Sequence, residues 1–543
     1  MRKLQRSSTL PILGWTGVLF STLLVAAPYA AAQTNVRVSV AVDKPLNVIT
    51  GESLGAYTDI YDTETSAPKV AAYLHTAGMY TFQYPGGSGS YADLYHWSIG
   101  TGTKYENFAK QDHFYPSETN LAHMVPAIDK LGTALITINY GSNKAGTGGG
   151  EPAEAAAFVA YMNGDPSDAK AIGKDSTGED WRTVGYWASL RAQAPLAADD
   201  GLNVLRANHP KPLNIEFWQI GSEVYNNGYY GADHKSEEDL HAPYPASEND
   251  NEKRRHNANL SPTFYGERIN EFARAMHNVD SKVKIGAAMN LAPIDSSWGP
   301  DWNAGVLKAA CASIDFVSLE WHPDFRTSVA PYDTRDDAAT LRAPEEQIGQ
   351  FLNEVVYEGK KLCPAGKLPR IAITQMSPIH WAKVPSKLSD GLFAADAFAL
   401  LAEIGAITTD WSELHDSYFM NSGNTPGPAF YGAQMLHIVA FRPGDELVSV
   451  SSSSPVVAAH AVKRQDGGFG LMLINKDPNA PAEVKVTVSG ANYAAQGSRF
   501  DYGQEAFKAG SGVAKTAFAS GGNSFSVTVP PYTITDIVLA KAQ

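Results

Sequence analysis

Glu223 stands where an apolar run stops. Residues 215–231 read IEFWQIGSEVYNNGYYG, a short β-rich stretch, then a turn carrying the carboxylate. A carboxylic acid in that position can donate a proton and take it back. Cleavage of a glycosidic bond needs such a group, because the leaving oxygen must be protonated as the bond breaks, and it needs a second group besides. Two further strand-like runs offer one. FVSLEWHP carries Glu320, Trp321 and His322, and IAITQMSPIHW carries Gln375 and Trp381. Position alone leaves a plainer reading of Glu223 open, a structural carboxylate hydrogen-bonded at the rim of a sheet.

A second constellation lies at residues 84–97, YPGGSGSYADLYHW. Its paired glycines let backbone approach a ligand closely. Aromatic side chains at strand ends can pack on the C–H faces of sugars. The candidates for substrate contact are therefore Tyr84, Trp97, Asn139, Ser222, Tyr225, Trp321, His322, Trp381 and Trp411. For the aromatic members, a place in the core is the competing reading.

These residues need a scaffold that brings strand ends together. β-rich runs recur at 54–60, 79–84, 134–140, 215–221, 283–288, 316–320, 371–375 and 406–411. Helical patterns fall between them, as at 151–161, 265–279 and 345–362. Strand–helix repetition implies a parallel sheet, and eight repeats imply a closed (β/α)₈ barrel, an α/β fold whose sites sit at the C-terminal strand ends. The Gly-rich loop 141–150 and the polar loop 233–259 are expected to build a cleft there.

Beyond residue 442 the texture changes. Short β-rich segments at 446–451, 457–463, 468–475, 482–489 and 524–530 are separated by Gly, Ser, Pro and Asn, the pattern of a β-sandwich. The alternating run 35–43 has no barrel role and is expected to join that sandwich. The expected domains are residues 33–50 (N-terminal strand), 51–440 (barrel) and 441–543 (sandwich).

Residues 1–32 read as a signal peptide: Arg2, Lys3 and Arg6, an apolar stretch at 10–27, and Ala30 and Ala32 before Gln33. Secretion, to the periplasm or the outside, is the expectation; a membrane anchor is disfavoured because no charged cluster follows. The 543 residues carry a net charge of −14, which argues against a nucleic-acid partner and suits a neutral saccharide. Two cysteines cannot make a structural zinc site alone, and nothing in the pattern calls for a metal or a cofactor. Cys311 and Cys363 each precede a barrel strand, the sixth and the seventh. Both are expected near the N-terminal face, bonded to each other or buried as free thiols.

Six motifs, in order, carry a resemblance: YPGG, GEPAEAAAFVAYMN (150–163), DWRTVGYWASLRA (180–192), the strand-four segment, LMLINKDP (471–478) and VPPYTIT (529–535). Together they resemble bacterial α-L-arabinofuranosidase-like enzymes of glycoside hydrolase clan A. The resemblance implies a retaining hydrolase, a barrel with a C-terminal sandwich, an acid/base after strand four and a nucleophile after strand seven. Glu223 matches the acid/base. Gln375 stands where the family has its nucleophilic Glu, Gln83 where it has Arg, Ser222 where it has Asn, and Glu320 opens the strand-six His–aromatic position.

A neutral amide cannot serve as an ordinary carboxylate nucleophile. An Arg left beside it would be an unpaired buried cation, costing several kcal/mol on an order-of-magnitude view, and Gln83 removes that cost. Glu320 returns a carboxylate from the neighbouring strand. The expected function is a secreted glycoside hydrolase acting on plant-type poly- or oligosaccharide, arabinofuranosidase-like, with Glu223 as acid/base and Glu320 as the second group. The alternatives are a catalytically silent carbohydrate-binding protein on the same scaffold, and a hydrolase whose second group is Asp59, Asp93, His322 or a bound metal.

Overall fold

The computed structural model describes residues 34–86, 95–102, 116–226, 239–242, 257–291, 301–323, 336–365, 367–378, 387–415 and 419–542. After strand β1 (Thr34–Val48), eight parallel strands follow: β2 (Gly55–Asp59), β3 (Thr81–Gly86), β4 (Thr133–Ile138), β5 (Phe217–Ile220), β6 (Lys284–Ala288), β7 (Phe316–Trp321), β8 (Arg370–Met376) and β9 (Thr409–Trp411). They close into a barrel, with Asp410 and Trp411 of β9 in register with Gly55 and Ala56 of β2. All eight expected barrel strands are present, to within a few residues at their ends.

Side-chain alternation along each strand divides this barrel into an inside and an outside. Leu135, Phe217, Phe316, Ala372 and Ile407 form one small apolar cluster. Their neighbours Ile136, Trp218, Val317 and Ile373 join the larger core shared with the helices. The helix Pro262–Val279 shows how that outer layer forms. Ser261 caps it by accepting from the Phe264 backbone N–H, Pro262 opens it, and Tyr265, Ile269, Phe272 and Met276 form its buried stripe.

The second domain follows as β10 (Glu446–Ser452), β11 (Val457–Lys463), β12 (Phe469–Asn475), β13 (Ala482–Ser489), β14 (Tyr493–Gly503), β15 (Ala514–Ala519), β16 (Ser524–Val529) and β17 (Thr533–Lys541). With β1 they make a nine-stranded curled sheet of order β15-β14-β17-β12-β11-β10-β1-β13-β16. β1 runs antiparallel to β10 and parallel to β13, and its Val36, Val38, Val40 and Val42 enter the sandwich core. Strands β14, β15 and β17 were not among the expected ones. β14 and β15 present mostly polar or half-exposed faces, so apolar alternation does not mark them.

A buried charge cluster joins the two domains. His460 of β11 bonds Asp396 at 2.9 Å and Glu403 at 2.8 Å, both on the barrel helix Leu388–Glu403. Lys476 reaches Glu345 of the helix Asp337–Leu362 at 2.6 Å and pairs with Asp396 as well. Cys311 and Cys363 form a disulfide, Cα–Cα 5.5 Å, beside the starts of β7 and β8. Among the described residues no helix is long and apolar enough to cross a membrane.

Candidate active site

β5 ends at Ile220, and the chain turns sharply. Gly221 takes φ +71° and donates its backbone N–H to the Ile138 carbonyl at 2.9 Å. Gln219 donates its side-chain amide to the Gly221 carbonyl at 2.8 Å. Glu223, buried, then adopts φ +48°. A non-glycine residue in the left-handed region costs roughly 1–2 kcal/mol, so the surrounding structure must hold it there. The result sets the Glu223 carboxyl over the barrel mouth.

Glu320 comes to the same place from β7. It sits in register with Gln375 of β8, as Trp321 does with Met376, and a register irregularity between Ile373 and Gln375 produces that alignment. The Glu320 carboxyl lies against the Glu223 carboxyl, with the Ser222 side chain close by. It accepts from the Tyr225 hydroxyl, at 3.2 Å. Burial, then the Glu223 charge, push the Glu320 carboxyl well above the usual range, while Tyr225 and Ser222 oppose the shift. A second carboxyl beside it opposes the ionisation of Glu320.

Neutral polar groups complete one wall. His322 donates Nδ1–H to the Ser377 carbonyl at 3.0 Å, which leaves Nε2 as the lone-pair nitrogen of the neutral ring. Burial lowers its pKa, against the opposing pull of Glu223 and Gln375. Ser412, just past β9, donates to Gln375 Oε1 at 3.3 Å. On the opposite side, burial first, then the carboxylates of Asp59, Glu413, Glu320 and Glu223, hold the Tyr57 phenol well above its ordinary pKa. The site therefore draws on β2, the β5 turn, β7, β8 and the segment after β9.

Several expected contact residues lie elsewhere. Trp97 stacks on Phe158 at 4.7 Å and packs edge-on against Trp187 at 5.1 Å, inside the core rather than in the cleft. Tyr84 is buried, donating its hydroxyl to the Thr119 carbonyl at 2.8 Å. Trp321 points outward, against Phe393 and the Gln347 side chain, because it neighbours the inward Glu320. Trp411 packs among Phe393, Phe398 and Phe419 for the same reason of alternation. Asn139 shapes a loop, donating to the Tyr95 carbonyl at 3.0 Å and accepting from the Ser142 backbone at 3.0 Å.

Trp381, Asp93 and most of the 233–259 loop lie outside the described residues. Gln83 is buried in register with Tyr57 and donates to Thr137 at 3.4 Å. Sequence reasoning missed Tyr57, Ser412 and Glu413. The signal for Tyr57 was present: Gly55, Tyr57 and Asp59 share one face of β2 by period-two alternation. Among the described residues no group of three or more His, Cys, Asp or Glu could hold a metal ion.

The fold is that of the glycoside hydrolases that join an eight-stranded barrel to a β-sandwich. The α-L-arabinofuranosidase from Thermotoga maritima, solved with arabinose, superposes with a TM-score of 0.65 at 16% identity, over 93% of this chain and all of its own. The family 51 arabinofuranosidase of Thermotoga petrophila gives 0.65 at 17% identity over the same shares. A family 44 xyloglucanase of Paenibacillus polymyxa gives 0.59 at 14% identity, over 94% of this chain and all of its own. No protein-family profile matches the chain. No curated protein sequence matches it either.

Proposed function

We propose that the protein is an exported glycoside hydrolase of the arabinofuranosidase type, acting on plant-type poly- or oligosaccharide. Glu223 is the general acid/base, Glu320 the second carboxyl, and Gln375 a neutral group at the position of the usual nucleophile. The observation that carries this reading is the meeting of Glu223 and Glu320 at the barrel mouth, with Glu223 held at φ +48°. Strained backbone of that kind is retained where a side chain must be aimed.

A glycoside entering the site must part the two carboxyls. The one that keeps the proton delivers it to the leaving oxygen as the C–O bond breaks. The other, ionised, either attacks the anomeric carbon or takes a proton from the attacking water, according to how far apart the substrate holds them. Glu223, at the turn, is assigned the first task and Glu320 the second.

The test is a screen of purified protein against aryl glycosides and plant polysaccharides, with Glu223→Gln and Glu320→Gln as controls. Each substitution is expected to lower kcat by about 10²–10⁴-fold, the usual worth of a general acid or base. Full activity in Glu320→Gln would move the second role to another residue. Saccharide binding without any turnover would replace the hydrolase by a carbohydrate-binding protein. Sequencing the N-terminus of protein recovered outside the cytoplasm tests export, with Gln33 the expected first residue.

A further inference from the structure

The face of the barrel opposite the mouth holds a cleft of roughly 640 Å³. Its residues lie at the end of the strands remote from Glu223. Lys284 opens β6, Asp315 precedes β7 and Lys367 precedes β8. Arg274 and His277, three residues apart on the helix Pro262–Val279, present neighbouring side chains to it.

Covalent and polar ties hold the walls together. The disulfide Cys311–Cys363 joins the segment after the helix Asp301–Ala310 to the segment that leads into β8. Lys367 crosses the same gap, donating from its ammonium to the Ala312 carbonyl. His277 donates Nε2–H to the Val283 carbonyl at 3.0 Å, which fixes its ring against the approach to β6.

The charge of this cleft runs against that of the molecule. The chain carries −14, yet three cations, Arg274, Lys284 and Lys367, line the cleft against a single carboxylate, Asp315. Asp315 is already engaged, accepting the Ile285 backbone N–H at 3.0 Å. Glu271, on the adjoining turn of the helix, is taken by Arg268. Among the described residues, neither the Arg274 nor the Lys284 side chain has an ion-pair or hydrogen-bond partner.

Cations gathered in a concave site raise its potential and draw anions. A neutral saccharide gains nothing from that potential; an oxyanion does. The planar fork of Arg274 matches a carboxylate or a phosphate, and Lys284 and Lys367 add point charges. Small-molecule sites run to about 300–1,000 Å³, so the cleft admits a sugar-sized body. The Ser313 hydroxyl on its wall offers a hydrogen bond to a ligand hydroxyl.

We propose that this cleft is a second binding site, for a compact anionic sugar: a monosaccharide bearing a carboxylate or a phosphate. The site is separate from Glu223 and Glu320, and it stands whether or not the mouth turns over saccharide.

Calorimetric titration of the full chain with glucuronate, glucose 6-phosphate, inorganic phosphate and glucose tests it. At least one of the two anionic sugars is expected to bind with a Kd of about 1 mM or below, and glucose is expected not to bind. Glucuronate binding assigns the carboxylate as the anion; binding of glucose 6-phosphate alone assigns the phosphate. Arg274→Gln and Lys284→Gln, both at the surface, are each expected to raise that Kd about tenfold, the size of one lost hydrogen bond to a charged group, with Tm unchanged. Glu223→Gln is expected to leave it unchanged. Binding of neither anionic sugar overturns the proposal, as does binding that both cleft variants leave intact. A Kd that moves in Glu223→Gln places the ligand at the mouth and overturns it too. Glucose binding as tightly as glucuronate refutes the role of charge, and inorganic phosphate binding as tightly as either sugar refutes the role of the sugar body.

Discussion

Gln375 stands opposite Glu320 in the register between β8 and β7, so that an amide faces the carboxyl the resemblance would have placed on its own strand. The neutrality of Gln375 adds no negative charge from β8 beside Glu320. Gln375→Glu alone is therefore expected not to create a fast retaining enzyme. Its carboxylate would sit against Glu320, and like charges that close raise pKa values and oppose ionisation. Activity on an aryl arabinofuranoside should rise by less than about tenfold, with Gln83→Arg needed as well to neutralise the added charge. A rise of several hundredfold from the single substitution would show the coupling argument to be wrong.

The charge cluster between the domains should make stability fall at alkaline pH. Burial by itself would lower the His460 pKa, but Glu403 and Asp396 outweigh it and raise it to about 10. The folded value lies above the unfolded one of about 6.5. The contribution is thus complete below pH 6.5 and is lost as pH climbs through the folded value. His460→Asn, which takes the cation from Glu403 and leaves Asp396 with Lys476 alone, should cost on the order of 3–5 kcal/mol at pH 6 and far less near pH 10. Thermal unfolding of both proteins at the two pH values checks the sign.

Asp410 acts in the same sense in a lower pH window. Its carboxyl is fully buried beside Gly55, accepts one bond from Thr408 at 2.7 Å, and burial pushes its pKa to about 8. The folded state then holds a proton that the unfolded state releases near pH 4, so stability drains away between about pH 4 and pH 8. Asp410→Asn should flatten that decline, recovering on the order of a few kcal/mol at pH 8 relative to pH 5. Parallel pH profiles of Tm in the two proteins would refute the burial argument.

The disulfide offers a separate check. Cys311 and Cys363 close a loop of sequence separation 52 on the N-terminal side of the barrel, away from the site. In the chain-entropy account that closure stabilises by about 4 kcal/mol. Reduction, or the Cys311→Ser/Cys363→Ser double variant, should lower Tm while leaving saccharide affinity unchanged. A loss of affinity equal to that of a cleft substitution would mean that the N-terminal face communicates with the mouth.

The primary structure by itself determined the alternation of strands and helices, the place of β1 outside the barrel and the strand-end positions of Glu223, Glu320 and Gln375. Local periodicity carries those facts, because a strand shows its two faces every second residue and a helix its stripe every third or fourth. The same periodicity held the fates of Trp321 and Trp411, which alternation turns outward from the residues beside them. What periodicity could not supply was distance. Whether Glu320 reached Glu223 depended on the β8 irregularity after Ile373 and on the left-handed turn at Glu223. The company of Tyr57, His322, Ser412 and Glu413 depended on barrel closure, which brings the ends of β2, β7, β8 and β9 to one mouth from positions hundreds of residues apart. Only the tertiary structure decided that Trp97 belongs to the core, since a buried indole against Phe158 and an indole at a cleft look alike in one dimension.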